Sequence, residues 1–230
     1  MNRFLITGAS RGIGRAIALR LAQPNRTLLL HGRDKEALEE SCRMVSEKGA
    51  RAVAVAADIG TIAGVEELAD RVGPDNLDVL VNNAGVVYVE PFEKITLEQW
   101  QKTLAVNVTA PFVLIQKLND RLTRGASIVN ILSVAARTAF PNWSSYCMSK
   151  FALEGLSRCL REELRPRGIR VINIYPAATG TGMWDNIEGE WARDKMMPPE
   201  EVAEALAYAL ERPSSVMVED ISLGDMTGNQ

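Results

Sequence analysis

The alternation of short apolar runs with helix-periodic segments constrains the fold of this chain more than any other property. Asn2 to Thr7 is a short apolar strand that runs into Thr7-Gly8-Ala9-Ser10-Arg11-Gly12-Ile13-Gly14. From about Arg11 to Ala22 the residues Ile13, Ile17 and Leu21 recur at helical spacing. Further strand-like runs stand at Arg26–His31, Ala52–Ala57, Leu77–Val81, Ser127–Leu132, Ile169–Tyr175 and Val216–Leu223. Between them lie helical segments at Lys35–Lys48, Thr61–Val72, Leu97–Leu122, Ser144–Leu164 and Val202–Leu210, the third interrupted only by Pro111. Such alternation predicts an α/β fold with a mostly parallel, doubly wound sheet. No linker, repeat or low-complexity tract divides the chain, and 230 residues suit one domain, 1–230, with a substantial core.

Right-handed crossovers would bring the glycine turn, Asp58, Asn83, Ser133 and Pro176 to one carboxyl edge, where ligands bind in such sheets. A strand, a glycine-rich turn and a helix start aim backbone N–H groups and the positive helix end at one point, suited to a pyrophosphate. Gly12 and Gly14 carry no side chain to block the ligand or the packing of helix on strand. The spacing is G-x-x-x-G-x-G rather than G-x-G-x-x-G, so the general rule carries over in mechanism alone. A turn that serves chain reversal only is the alternative.

The end of the second strand selects the cofactor. A carboxylate there would accept from the adenosine ribose hydroxyls, whereas an arginine would pair with a 2′-phosphate. Gly32 occupies the slot where an acid would stand, Arg33 follows, and Arg11 adds a second positive charge. Asp34 is better placed to cap the helix that begins at Lys35. These residues favour NADP(H) over NAD(H).

Tyr146 and Lys150 stand at i and i+4 in a helical segment and therefore lie on one face. An ammonium near a phenol favours the phenolate and lowers a pKa that is about 10 unperturbed. A tyrosine tuned in this way serves as an acid or base near neutral pH. A bare Y-x-x-x-K is commonplace, and its company decides its meaning.

Composition excludes several chemistries. Net charge is -3 with no basic run, which argues against nucleic acid as a partner. No apolar run approaches the roughly 18 residues of a membrane span. Phe4-Leu5-Ile6 already reads as a strand, so no signal peptide is expected, and the expected compartment is the cytoplasm. Cys42, Cys147 and Cys159 are scattered, and His31 is the sole histidine. Neither a disulfide frame, a metal site nor a Ser-His-Asp mechanism is indicated.

Taken together, the motifs resemble those of the short-chain dehydrogenase/reductase family along nearly the whole chain. They are Thr7-Gly8-Ala9-Ser10-Arg11-Gly12-Ile13-Gly14, Asp58, Asn82-Asn83-Ala84-Gly85, Asn107, Ser133, and Tyr146 with Lys150. The resemblance implies a Rossmann fold and hydride transfer between a nicotinamide and a small carbonyl or alcohol. It implies that Tyr146 is the acid/base, that Lys150 depresses its pKa and holds the nicotinamide ribose, and that Ser133 polarises the carbonyl. Asn107 would hold open a helix kink that seats a relay water. Asp58 would fix the adenine, and Asn83, Ala84 and Gly85 would line the adenosine side. Pro176, Thr179 and Thr181 would follow the carboxamide. This loop departs from the family pattern, because Ala177 replaces a usual glycine and Thr179 a usual valine.

Gly182 to Pro198 corresponds to the segment that closes over substrate in the family, giving a lid at about 177–198. Met183, Trp184, Trp191, Met196 and Met197 there, with Trp143 opposite, predict a hydrophobic or mixed pocket, unless the tryptophans only pack the loop down. The resemblance also implies a homodimer or homotetramer formed through the helices around Asn107 and Tyr146, with the polar Gly224–Gln230 end leaving a tetramer contact there open. Two rival readings remain: a non-catalytic NADP-binding sensor, against which the intact Ser-Tyr-Lys set argues, and an epimerase or dehydratase using Glu90 or Asp185 as an extra acid or base.

Overall fold

Strands whose residues are apolar throughout need cover on both faces, and here they have it. The computed structural model describes residues 2–187, 191–213 and 215–224. In chain order the elements are β1 (Arg3–Ile6), α1 (Gly12–Leu21), β2 (Thr27–Gly32), α2 (Lys35–Glu47), β3 (Arg51–Ala56), α3 (Ile62–Val72) and β4 (Val79–Asn82). Then come α4 (Leu97–Leu104), α5 (Ala110–Leu118), β5 (Ser127–Ile131), α6 (Ser144–Leu164), β6 (Arg170–Pro176), α7 (Pro199–Leu210) and β7 (Asp220–Leu223). One parallel sheet runs in the order β3-β2-β1-β4-β5-β6-β7. This is the doubly wound Rossmann arrangement that the alternation predicts.

Strand periodicity divides the core into two layers. Phe4, Ile6, Leu28, Leu30, Ile172 and Ile174 pack with Ile17 of α1, Leu38 of α2 and Leu206 of α7. Leu5, Leu29, Leu80, Ile128 and Val171 point the other way, onto Leu68 of α3 and Leu114 of α5. β4, β5 and β6 are buried at every residue, whereas β7 at the edge is not. The last strand is shorter than expected, starting at Asp220 rather than Val216. No described helix is long and apolar enough to cross a membrane.

The segment Leu97–Leu122 is not one helix broken at Pro111. Its break comes one turn earlier, where Ala105–Thr109 widens to a π turn and the Ala110 N–H reaches back to Ala105. Proline has no N–H for the carbonyl four residues before it, and its ring crowds that carbonyl. For Pro111 that residue is Asn107, so the disruption is displaced onto Asn107.

Candidate active site

The sheet order reverses at β1, with β2 on one side and β4 on the other, and their carboxyl ends splay into a crevice. A cleft of about 1000 Å³ opens there. Every site residue expected from the sequence lines it except Gly14 and Asn107. Gly14 lies behind the glycine turn, where an added Cβ would sit 2.2 Å from the Gly8 carbonyl oxygen. Asn107 lies behind the site. Its Oδ1 accepts from the Val86 N–H at 2.8 Å, and its Nδ2 donates to the Val86 carbonyl at 2.9 Å and the Ser149 hydroxyl at 3.0 Å. The kink is present, and this side chain ties the segment after β4 to α6.

The glycine turn is held from below. Asn83 Nδ2 donates to the carbonyls of Thr7 at 2.8 Å and Gly8 at 3.1 Å. Thr7 Oγ1 accepts from the Asn83 and Ala84 N–H groups, both at 3.0 Å. Asn83 is therefore a hook for the turn through its amide nitrogen, while the residue also lines the cleft. Gly8 and Gly12 have φ of +67° and +56°, a conformation that favours glycine. A Cβ on Gly12 would stand 3.1 Å from the Thr181 side chain across the cleft.

His31, which sequence reasoning used only for exclusion, is a strut. Its Nε2 lies 3.1 Å from the Ala57 carbonyl and so carries the proton, leaving Nδ1 to accept from the Gly8 N–H at 3.4 Å. Burial pushes its pKa down to about 4. Below the unfolded value of about 6.5 the unfolded chain takes up this proton and the folded one does not, so stability falls as pH drops from 6.5 toward 4. Between pH 7 and pH 5 the expected loss attributable to His31 is about 2 kcal/mol. Urea unfolding of the parent and of His31→Gln at both pH values checks this; identical pH dependence in the two would contradict it.

At the end of β2 a Cβ on Gly32 would fall 2.0 Å from Ser10 Oγ, so a side chain in this slot would have to displace that hydroxyl. That hydroxyl is buried and makes no hydrogen bond to any described residue. Asp34 accepts from the Ala37 N–H at 3.1 Å as the α2 cap, as expected. Arg11 and Arg33 are exposed at the cleft wall. Asp58 accepts from the Gly60 N–H at 3.0 Å and faces Lys102 Nζ at 3.4 Å; the Gly60 bond leads in holding its carboxyl below the ordinary value.

Ser133, Tyr146 and Lys150 meet at the floor of the cleft. Ser133 Oγ accepts from the Ala135 N–H at 3.1 Å, which fixes the hydroxyl beside the phenol. Lys150 is buried, donates to the Ile131 carbonyl at 2.8 Å, and holds Nζ 5.6 Å from the centre of the Tyr146 ring. Here the electrostatics run opposite to the expectation that Lys150 lowers the phenol pKa. Burial pushes Tyr146 up to about 12, against the hydrogen bond with Ser133, and pushes Lys150 down to about 8. Both groups lose water, and desolvation disfavours the charged form of each. In this state Tyr146 is a protonated phenol, able to donate.

A family profile described as short chain dehydrogenase matches residues 2–191. The chain belongs to that family. Among its short-chain dehydrogenase relatives, sepiapterin reductase of Chlorobaculum tepidum is 37% identical, covering 98% of this chain and 96% of its own. D-threitol dehydrogenase of Mycolicibacterium smegmatis is 34% identical, covering 89% of this chain and 84% of its own. Of solved structures, an alcohol dehydrogenase from the archaeon Thermococcus sibiricus complexed with 5-hydroxy-NADP superposes with TM-score 0.90 at 28% identity, covering 100% of this chain and 99% of that one. A short chain dehydrogenase from Burkholderia cenocepacia in complex with NADP gives TM-score 0.87 at 32% identity, covering 96% of each.

The short-chain dehydrogenase loop after β6 accommodates its departures. Ala177 is not among the residues with positive φ, so an alanine is unstrained there, and its N–H donates to Leu223 at 2.8 Å. Thr179 Oγ1 donates to the Ala177 carbonyl at 2.9 Å. The lid expected at 177–198 is described apart from residues 188–190, and its base is closed by Gly180 N–H to Met197 at 2.9 Å and Met197 N–H to Ala178 at 3.0 Å. The Gly224–Gln230 end lies, after Gly224, outside the described residues. Neither Glu90 nor Asp185 lines the cleft, and Asp185 pairs with Arg193 at 2.6 Å. The extra acid or base of an epimerase or dehydratase is thus not supplied by either.

Sequence reasoning also missed a ladder across β4, β5 and β6. Asn82 Nδ2 donates to Asn130 Oδ1 at 2.9 Å, and Asn130 Nδ2 to Ser157 Oγ at 3.0 Å and Asn173 Oδ1 at 3.4 Å. These three asparagines are register partners, a relation that appears only once the strands are aligned.

Proposed function

We propose that this chain is an NADP(H)-dependent oxidoreductase that reduces an aldehyde or ketone to an alcohol, with Tyr146 as the proton donor. The observation that carries this reading is the convergence of a buried, protonated Tyr146 with Ser133 and Lys150 in the same cleft as the glycine turn. The residues fit the cofactor: the Ser10 hydroxyl without a partner among the described residues, the Gly12 cradle facing Thr181, and Arg11 and Arg33 on the cleft wall with no acid in the Gly32 slot. When bound, NADPH supplies the hydride.

The chain's own part is positioning and proton transfer. Ser133 Oγ donates to the substrate oxygen as negative charge develops on it. Tyr146 hydroxyl passes its proton to that oxygen, and Lys150, on the same helix face, stabilises the phenolate left behind. With the cofactor bound, Asp58 would meet the adenine, Pro176, Thr179 and Thr181 would line the carboxamide, and Lys150 would hold the nicotinamide ribose. The relative order of events is that of an acid-assisted reduction, and the same residues run the oxidation in reverse.

A homodimer through α4, α5 and α6 belongs to this reading, because Leu97, Trp100, Phe112 and Phe151 are large apolar residues left exposed on those helices. The activity is tested by following NADPH oxidation with a panel of aldehydes and ketones; no turnover with any of them would sink it. For the cofactor, Arg33→Ala is expected to raise the KM for NADPH about tenfold or more, the loss of a charge-assisted contact, while NADH changes by less than about threefold. Equal weakening of both cofactors would remove Arg33 from 2′-phosphate recognition.

A further inference from the structure

Three successive turns of α6 each offer a polar side chain to the segment Ile131–Arg137. Tyr146, Lys150 and Glu154 stand four residues apart on one face, and all three are buried. The Tyr146 hydroxyl is hydrogen-bonded to Ser133, and Lys150 donates to the Ile131 carbonyl at 2.8 Å. Glu154 Oε1 accepts from Arg137 Nε at 3.2 Å. The first two of these rungs belong to the cleft; neither residue of the third lines it.

Arg137 ends the short 3-10 turn, Val134–Ala136, that Ser133 opens. The Ala136 N–H returns to Ser133 at 2.9 Å and the Arg137 N–H to Val134 at 3.0 Å, so these backbone bonds close on the turn itself. Val134, Ala135 and Ala136 have no polar side chain. Leu132 and Ala136 pack with Leu153 and Tyr175, which holds the turn down, but apolar contact is non-directional. The register of the turn along α6 is therefore left to its polar ends, Ser133 and Arg137. The Arg137 end is braced. Its guanidinium carbon lies 3.6 Å from the centre of the Tyr175 ring, and the Tyr175 hydroxyl donates to the same Glu154 oxygen at 3.1 Å. Pinning the edge strand β7 is the other role open to Arg137, since its Nη2 donates to Asp220 at 2.5 Å. That strand has a clamp of its own: Arg161 Nη2 donates to the Glu219 carbonyl and to Asp220, both at 2.8 Å.

We propose that Arg137 is a positioning residue: held by Glu154, it fixes the turn so that the Ser133 hydroxyl meets Tyr146. Its effect on rate rests on the carbonyl-reductase reading, and its effect on geometry on the three rungs alone.

Arg137→Met should fold, because Glu154 keeps Arg158 at 2.7 Å and Tyr175, and Asp220 keeps Arg161. With NADPH and 2,3-butanedione as the probe, this variant should lower kcat about tenfold and move either KM by less than about twofold. Glu154→Gln keeps an acceptor without the charge and should lower kcat about threefold, so it decides the matter if Arg137→Met does not fold. Arg137→Lys should recover part of the loss. In a Ser133→Ala background, Arg137→Met should lower kcat by less than about twofold, since the hydroxyl it places is gone. A full tenfold loss there, or a loss carried by KM, would mean general loosening and overturn the proposal. A readout free of turnover is NMR with tyrosine labelled at Cζ, the Tyr146 resonance being assigned by Tyr146→Phe. Arg137→Met should shift that resonance in the direction that Ser133→Ala shifts it, and an unmoved resonance overturns the proposal. A parent that reduces neither 2,3-butanedione nor any other carbonyl of the panel counts against the reductase reading alone, and the resonance then decides the positioning.

Discussion

Tyr146→Phe should lower kcat/KM for the proposed carbonyl reduction about a thousandfold and leave NADPH affinity within about twofold, because the substitution removes one oxygen and little else. The ring keeps its neighbours: Tyr146 packs with Ala135 and Cys147, against Val87, Phe140 and Trp143. A phenylalanine retains those contacts, so the melting temperature should move by only a few degrees. What disappears is the proposed proton donor and the partner of the Ser133 hydroxyl. Because burial holds the phenol near 12 in the cofactor-free enzyme, the donor form is present there throughout the neutral range, and an ultraviolet titration of parent against Tyr146→Phe should show no Tyr146 ionisation below about pH 10. Initial rates of NADPH oxidation, with NADPH binding measured by fluorescence, decide the matter. Equal rates in the two proteins would take Tyr146 out of the mechanism.

Gly14→Ala should be nearly as damaging by a different route. The new methyl would sit 2.2 Å from the Gly8 carbonyl oxygen and 2.6 Å from Asn83 Nδ2, the same two groups that hold the glycine turn in place. Backbone cannot swing aside as a flexible side chain does, so either α1 lifts from the sheet or the Asn83 hook opens. Overpacking of this kind costs about 3 kcal/mol. For a chain of this size that lowers Tm by roughly 10 °C. The displaced turn should also weaken NADPH binding tenfold or more, since its N–H groups no longer converge. Thermal melting and NADPH titration read the two effects; a melting temperature within 2 °C of the parent would show that the helix and turn are not packed as described.

How much of this was legible beforehand depends on how local each cause is. Strand and helix order, the Asp34 cap and the gathering of motif residues at one sheet edge followed from periodicity, turn chemistry and crossover handedness. Local rules failed at Leu97–Leu122, where Pro111 announces a break whose consequence falls on Asn107, four residues earlier. For Gly32 they gave only half of the reason. Its lack of a side chain reads in sequence as a missing acid, and in space it is the room taken by Ser10 Oγ.

The sequence by itself determined the fold class and the family, because both are carried by short-range pattern or by motifs whose spacing survives intact. Only the tertiary structure decided the charge states and the pairings: His31 neutral against Gly8, Lys150 turned to Ile131, Tyr146 protonated, and Trp191 with an N–H that no described residue accepts. Those depend on how much water each group loses and on what lies across the sheet from it. Neither quantity is written in the order of residues along the chain.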